Sequence, residues 1–585
     1  MSSPVSFMTA RQTPKSSAST PRDITSSPLS SVPPSSAVPI PSPALKPLRK
    51  PFFRPAKPLS YELRNHSAVY LEDGQYIEAF TLLNNLLVSS TSISTPEKPH
   101  QAFIPPPQHL ALAATLIVYP SLTTKAKSLE RQKGSNAALQ YLRNVSKTVD
   151  PLSDNFLVAF TFPTLGSTRR GGRNRGAEPE SPDSDSGERS IKTNVANAAS
   201  LWARAEDFWH IVGWAFNCSI AWKKRWERWK LWLEVMLDFM EAEWVERLRW
   251  SGEGGADVEA ILTQSLIWHY ISSQDAESRA SRRRILRAIL ADGSVKHMKE
   301  FTEVFKNETK EKKQEEENLL KEQKALDIEN GEFGDYDVVD DDEDAIMEDA
   351  GVRASSRPMR RAAIGNKNTP NISDDSSENE EERESPEEPL SGVERLGGID
   401  ALVLRQRLLA LLAQVSQALP KLFTSVEDLF DLYTEFIRPL HTSIFGALLS
   451  TSKLLPATQT ALNTNLLLPL LATNLPNYNI ISPTQSHLEQ YFLPFPATTH
   501  SYADNAKVSI VLEAIFTHMM NDSTLQPTRT LRAAMEDGIR ARDNKALVDG
   551  RKKKGNVDEE EIAKGILGMS KARLIGLLEL VEMGE

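Results

Sequence analysis

Apolar side chains recur every three to four residues through most of this chain, a spacing typical of amphipathic helices. Two adjacent segments show it first, YELRNHSAVYLED from Tyr61 and GQYIEAFTLLNNLLVSS from Gly74. The stripe of the second segment consists of Ala79, Phe80, Leu83, Leu86 and Leu87. Glycine readily adopts the left-handed conformation of a tight turn, so Gly74 suits the junction. The pattern therefore predicts a helix hairpin.

Five positions of this hairpin resemble half of a tetratricopeptide repeat, namely Ala68, Tyr70, Gly74, Tyr76 and Ala79. The resemblance covers about thirty residues, and no second copy follows at a period near 34. It therefore implies antiparallel helix pairs and no more than that.

The helical spacing continues up to the middle of the chain. PPQHLALAATLIVY and SNAALQYLRNVSKTV predict two more helices, with Ser135 as the N-cap of the second. The pattern resumes near Asn194 and runs through a Trp-rich window. It returns in SRASRRRILRAILADG and in a long segment from Val295 to Leu326, which becomes charged on all sides after Lys306. We expect the end of that last helix to project into solvent.

A second set of helical patterns begins at Ile399. In SVEDLFDLYTEFIRPL, Ser425 precedes two acids, an arrangement that suits the positive end of a helix. Further helices are predicted for SYADNAKVSIVLEAIFTHMM and for Glu559 to Val581.

The fold class that follows is all-α, because alternating apolar runs are short and β-branched clusters are sparse. We expect two helical blocks of helix-hairpin or short α-solenoid-like type. Segments of low apolar content cannot offset their ordering entropy and are predicted to be disordered. The predicted regions are a Pro/Ser-rich basic tail at 1–58, a Trp-rich helical domain at 59–325 with a disordered insertion at 165–190, an acidic disordered linker at 326–397, and a C-terminal helical domain at 398–585.

All ten Trp of the chain lie between Trp202 and Trp268. At 100° per residue the helix after Trp222 carries one apolar stripe, formed by Trp222, Trp226, Trp229, Leu233, Leu237, Met240 and Trp244. We interpret this stripe as core. Trp232 and Phe239 lie off it, near Arg225 and Arg228. These four residues are the candidates for an exposed partner-binding edge, since Trp and Arg are frequent in interface hot spots.

Charge is unevenly distributed along the chain, whose formal net charge is −10. Residues 1–58 carry eight basic residues and one acid, a local net charge of 8 − 1 = +7, whereas 335–349 carry nine acids and no base. Phosphate loops, dinucleotide-binding glycine motifs, zinc-protease motifs and nucleophile elbows do not occur. A single cysteine, Cys218, excludes an internal disulfide framework. We therefore expect no catalytic residues, no metal site and no cofactor.

Basic segments are the remaining candidates for chemistry. The RRGGRNRG stretch resembles an RGG-type segment whose arginines contact nucleic acid; these are Arg169, Arg170, Arg173 and Arg175. Two basic clusters are candidate nuclear import signals, one formed by Lys46, Arg49, Lys50 and Arg54 and the other by Lys552, Lys553 and Lys554. Ser-Pro and Thr-Pro pairs recur in the predicted disordered parts and are candidate phosphorylation sites.

These features favour a non-enzymatic nuclear scaffold or adaptor, a subunit of a chromatin-associated or genome-maintenance complex. Expected partners are other protein subunits, histones through the acidic linker, and RNA or DNA through the basic segments. No membrane partner is expected, because no run of about 18 apolar residues occurs. Two alternatives stay open: an RNA-associated factor in ribosome assembly or RNA processing, and a cytoplasmic trafficking or signalling adaptor.

Overall fold

The computed structural model describes residues 53–162, 190–253, 257–310, 392–471, 483–547 and 557–583. Most of these residues are helical. The predicted tail to residue 52, most of the 165–190 insertion and nearly all of the linker lie outside the described residues. Within them, the all-α prediction is confirmed.

The N-terminal half contains twelve helices among its described residues. They are α1 Tyr61–Glu72, α2 Tyr76–Val88, α3 Pro107–Val118, α4 Leu129–Thr148, α5 Asp154–Ala159, α6 Leu201–Arg204, α7 Phe208–Ala221, α8 Lys223–Glu253, α9 Val258–Leu262, α10 Leu266–Ser272, α11 Arg279–Ile289 and α12 Val295–Glu300. Two strands, β1 Ala56–Pro58 and β2 Ala102–Ile104, pair in parallel. The hairpin of α1 and α2 is confirmed, and Gly74 between them has a φ of +72°.

The C-terminal half adds eight helices among its described residues. They are α13 Gly398–Ala418, α14 Val426–Ile437, α15 Thr442–Ser450, α16 Pro456–Leu467, α17 Gln485–His487, α18 Tyr502–Asn521, α19 Arg529–Leu547 and α20 Val557–Met583. The short α17 continues as a π-helical turn over Leu488–Phe492. Ser425 caps α14 as predicted, since its side chain accepts a hydrogen bond from the backbone N–H of Asp428.

Two helix boundaries differ from the sequence expectation. Ser135 lies buried inside α4, and the N-cap is Ser128, whose hydroxyl accepts from the N–H of Arg131. The helix expected to run from Val295 to Leu326 ends at Glu300. There the chain turns inward, so that Phe301, Val304 and Phe305 are buried. The apolar residues of this segment belong to the core and end the helix early.

The expectation that residues 1–58 are disordered is wrong at their end. β1 lies within that range, and Arg54 is only 2% exposed. Its guanidinium donates to four backbone carbonyls, those of Leu87, Ser89, His100 and Gln101. A buried guanidinium needs such acceptors. Arg54 therefore fastens the first strand to the end of α2 and to the loop before β2.

The two predicted blocks are not independent. Described residues from both sides of the 326–397 segment belong to one compact unit and share one continuous hydrophobic core. Arg405 of α13 is buried at this junction and lies 4.0 Å from the ring centre of Phe216. It donates to the carbonyls of Ile289, Ala291 and Leu396. The prediction of separate domains at 59–325 and 398–585 is corrected to one core assembled from both segments.

Candidate functional site

The Trp-rich window forms the centre of the core. Seven of the ten Trp side chains are buried, namely Trp202, Trp209, Trp214, Trp226, Trp229, Trp232 and Trp244. Aromatic rings pack mostly at tilted or edge-on angles, as between Trp229 and Trp232, whose centroids are 6.1 Å apart. The predicted stripe of α8 is buried, apart from Trp222, which is half-buried against Trp214. Since each large ring buries on the order of 150–250 Å², this window stabilises the fold more than it offers a surface.

The predicted partner-facing edge on α8 is wrong for its two aromatic residues. Trp232 is 0% exposed and Phe239 is 5% exposed. Trp232 packs on Trp202 and Phe208, and Phe239 lies 4.9 Å from the ring centre of Phe156. The periodicity of α8 identifies its most apolar face but cannot show that α5, α6 and α7 cover a second face.

Arg225 is also buried, and it pairs with Glu308. The same guanidinium donates to the carbonyl of Val118 at 2.8 Å and to the hydroxyl of Thr123 at 3.1 Å. Glu308 accepts further hydrogen bonds from the indole N–H of Trp229 and from two backbone N–H groups. Burial raises the pKa of Glu308, while Arg225 and the backbone N–H of Phe305 oppose the shift. This is a structural ion pair, and Arg225 is unavailable to a partner.

Arg228 is half-buried on the neighbouring turn of α8. Its guanidinium donates to the Ser135 hydroxyl and to Asn136 Oδ1, so it links α8 to α4. Of the four predicted edge residues, only Arg228 retains access to solvent.

The other sequence-predicted sites divide into two groups. Arg54 is a buried structural residue and cannot serve as a flexible import signal. All the remaining candidates lie outside the described residues: Lys46, Arg49, Lys50, Arg169, Arg170, Arg173, Arg175, Lys552, Lys553 and Lys554.

A charged cleft of about 390 Å³ lies where α4, α8 and α13 meet. Its charges are largely paired with one another. Arg143 contacts Glu234 at 2.8 Å, and Arg407 of α13 contacts Asp238 and Glu241 of α8, each at 2.7 Å. Because the ion pairs of Arg407 cross from one half of the chain to the other, they help to hold the halves together. The lining offers little uncompensated charge to a ligand.

A different kind of surface lies on α20. One face of this helix, with Ala563, Leu567, Leu574 and Leu578, is buried. On the opposite face Ile562 is 49% exposed, Met569 54%, Leu580 54% and Met583 73%. At 100° per residue these four side chains lie within about 40° of one direction, together with Gly565 and Gly576. We call this set the outer face of α20.

The outer face holds little charge. Arg573 lies near it and pairs with Glu513 at 2.6 Å. A helix that is apolar on two opposite sides is usually covered on both. In sequence the signal was present as EEEIAKGILGMSKARLIGLLELVEM, where apolar residues occupy more than one stripe. The sequence pattern predicted the helix, but its second apolar face was not predicted.

Metal binding, thiol catalysis and membrane insertion have little support among the described residues. No group of three or more His, Cys, Asp or Glu side chains is placed to hold a metal ion there. Cys218 is buried, and burial raises its pKa well above the usual value, so its thiol is a poor nucleophile. In the same part of the chain, no helix is long and apolar enough to cross a lipid bilayer.

No protein-family model matches the chain, and a search of curated proteins finds no significant match. The surfaces of the fold are therefore the basis for a functional assignment.

Proposed function

We propose that this chain is a non-enzymatic adaptor or scaffold subunit of a nuclear, chromatin-associated or genome-maintenance complex. The observation that supports an adaptor role is the outer face of α20. Contiguous exposed apolar surface on a folded protein is typical of a protein–protein interaction site.

The geometry of the outer face favours a helical partner. α20 has 27 residues, which corresponds to a length of about 40 Å. The exposed side chains of the outer face are spaced seven, eleven and fourteen residues apart and form a straight strip along the helix. Such a strip is the arrangement used in helix-in-groove recognition. The glycines at 565 and 576 would let the backbone of a second helix approach closely. We therefore propose an amphipathic helix of another subunit as the occupant.

Affinity purification of the tagged full-length chain from its native cells, followed by mass spectrometry, tests this proposal. Met569→Glu with Leu580→Glu should remove one or more specific proteins, because a charge cannot be desolvated against an apolar partner. The matched control is Val158→Glu with Val295→Glu. Both valines are also exposed, at 64% and 69%, and lie on other helices. Identical protein sets from both variants and the wild type would remove the outer face from the proposal.

The nuclear location is a separate element of the proposal. It rests on the basic clusters of the sequence, now without Arg54. Replacing Lys46, Arg49, Lys50, Lys552, Lys553 and Lys554 by Ala should shift the tagged 65.2 kDa chain to the cytoplasm. A cytoplasmic wild type would overturn the nuclear assignment. A variant that stays nuclear would remove these residues from the import assignment and would point to entry bound to a partner.

The RNA-associated alternative predicts a different outcome of the same purification. If RNA links the partners, ribonuclease treatment should remove them from the purified material. Partners that survive nuclease treatment and depend on α20 support the adaptor role.

A further inference from the structure

Three separate segments of the N-terminal half are rich in cations. They are residues 123–133, 223–228 and 303–310, which together carry ten Lys or Arg and four Glu. The local net charge is 10 − 4 = +6, in a chain whose formal net charge is −10. One cation and one carboxylate of this set form the buried Arg225–Glu308 pair and cancel. The remaining cations are exposed or half-exposed: Lys125, Lys127, Arg131, Lys133, Lys223, Lys224, Arg228, Lys306 and Lys310.

The buried ion pair brings the three segments together. Arg225 binds Thr123 and Thr124 of the first segment and Glu308 of the third. The ammonium group of Lys125 donates to the carbonyl of Asn307, which joins the first and third segments directly. Arg228 binds Ser135 and Asn136, just after the first segment. The three segments are therefore adjacent at the starts of α4 and α8, and we call the surface that carries their exposed cations the α4/α8 basic surface.

Helix direction adds to this positive charge. Arg228 of α8 contacts Ser135 of α4, and Glu234 of α8 contacts Arg143 of α4. From the first contact to the second, the chain advances six residues along α8 and eight along α4. Contacts that advance together show that α4 and α8 run in parallel, so both N-termini emerge at the same end. The positive ends of their dipoles then point toward the same region of the surface. Helix N-termini together with Lys and Arg are a recurrent environment for phosphate groups.

We propose that the α4/α8 basic surface binds the phosphate backbone of double-stranded DNA. A duplex fits the surface better than a single strand does, because single-strand binding uses exposed aromatic rings. The aromatic residue nearest the start of α8, Trp222, is half-buried against Trp214, with ring centroids 5.1 Å apart. The choice of DNA over RNA rests on the proposed chromatin role. Binding through phosphates alone carries little sequence preference and depends strongly on salt.

Fluorescence anisotropy with the full-length protein tests the inference. The probe is a DNA duplex of about two helical turns, titrated between about 50 mM and 200 mM salt. The test variant combines Lys127→Ala, Lys133→Ala, Lys223→Ala and Lys306→Ala. We expect its affinity to fall by on the order of tenfold or more, and its log–log salt slope to shrink by about three to four, one unit per lost phosphate contact.

The matched control removes the same charge elsewhere, by Lys98→Ala, Lys421→Ala, Lys453→Ala and Lys564→Ala. All four lysines are exposed. The control should change affinity by less than about threefold through net charge alone. Equal losses in the two variants, or no loss in either, would overturn the inference. Tighter binding to an RNA duplex of the same length, or to a polyglutamate peptide, would overturn the assignment to DNA.

A gain of affinity keeps the inference testable if the quadruple variant folds poorly. Glu130 is exposed in the first turn of α4, beside these cations. Glu130→Lys adds two units of positive charge and should tighten DNA binding several-fold, with a steeper salt slope. Unchanged affinity would contradict the placement of DNA on this surface. Loss of DNA binding would leave the adaptor proposal intact, because that proposal is read from the proteins that copurify through α20.

Discussion

The two longest described helices, α8 and α20, are both apolar on more than one side, but the second apolar face around Trp232 is buried on α8, whereas the outer face of α20 is exposed. α8 packs against α3, α4, α7, α9, α10 and α13. α20 packs against α15, α18 and α19, all within the C-terminal half. An off-stripe aromatic residue on α8, such as Trp232, is therefore buried, whereas Met569 on α20 faces solvent. The number of neighbours around a helix decides whether its second apolar face is core or surface.

The largest expected effect contrasts buried and exposed Trp on α8 itself. Trp232→Ala should destabilise the protein by about 3–5 kcal/mol, as expected for a large buried ring. Trp250 is 50% exposed near the end of the same helix. Trp250→Ala should stay within about 0.5 kcal/mol of the wild type. Chemical denaturation of the full chain measures both. A small loss at Trp232 would mean that the second face of α8 is not core.

The next effect concerns the junction between the halves. Arg405→Ala leaves three buried carbonyls without their donor and should cost about 3 kcal/mol or more. If a protease site is inserted within 326–397 and cleaved, the two wild-type fragments should still elute together. The Arg405→Ala fragments should separate more readily. Wild-type fragments that part at once would restore the interpretation as two independent blocks.

Sequence patterns predicted single helices better than they predicted how the helices assemble. The α1–α2 hairpin, the Ser425 cap and the stripe of α8 follow from local spacing and capping. That Arg54 and Arg405 bind carbonyls distant in the chain could not be read locally, because their acceptors come from other segments. The assignment of residues 53–58 to the predicted tail at 1–58 was wrong because the acceptors that hold Arg54 come from other segments.

The candidate surfaces illustrate the same limit. The outer face of α20 was visible as apolar residues on two sides of one helix, but which side packs on α18 depends on the tertiary fold. The α4/α8 basic surface is spread over three segments far apart in sequence. The cations that were noticed in the sequence, such as Arg169 and Lys552, lie next to other cations along the chain. One part of this surface, Lys223 to Arg225, is also a run of cations, but its adjacency to the other two segments depends on contacts such as the Arg225–Glu308 pair.

A buried histidine should make the stability of the protein depend on pH. His109 of α3 is buried, and burial lowers its pKa to about 4. Its Nε2 lies 3.2 Å from the Ser67 hydroxyl. Between about pH 6.5 and 4 the unfolded chain binds a proton at His109 that the folded protein does not. The free energy of unfolding therefore has its full contribution from this group above pH 6.5. It decreases as the pH is lowered, by about 2 kcal/mol at pH 5.

The control for this pH effect is His109→Gln, which cannot titrate. Urea denaturation between pH 7 and pH 5 should give a smaller loss for the variant than for the wild type, and the difference isolates His109 from the other histidines. Parallel pH profiles would show that this histidine is not held neutral in the core.

The smallest expected effect concerns the three glycines within α20. A Cβ added at Gly565, Gly568 or Gly576 would meet open space. Glycine within a helix is less favourable than alanine by roughly 0.5–1 kcal/mol, so each Gly→Ala change should raise stability by about that amount. Gly538 in α19 is the matched contrast, because a Cβ there would collide with the carbonyl of Leu493. Gly538→Ala should therefore destabilise the protein. If Gly565 and Gly576 allow a partner helix to approach the outer face closely, Gly565→Ala with Gly576→Ala should stabilise the isolated chain in thermal melts and weaken capture of that partner. A variant that is more stable and binds its partners unchanged would show that the outer face does not need close helix packing.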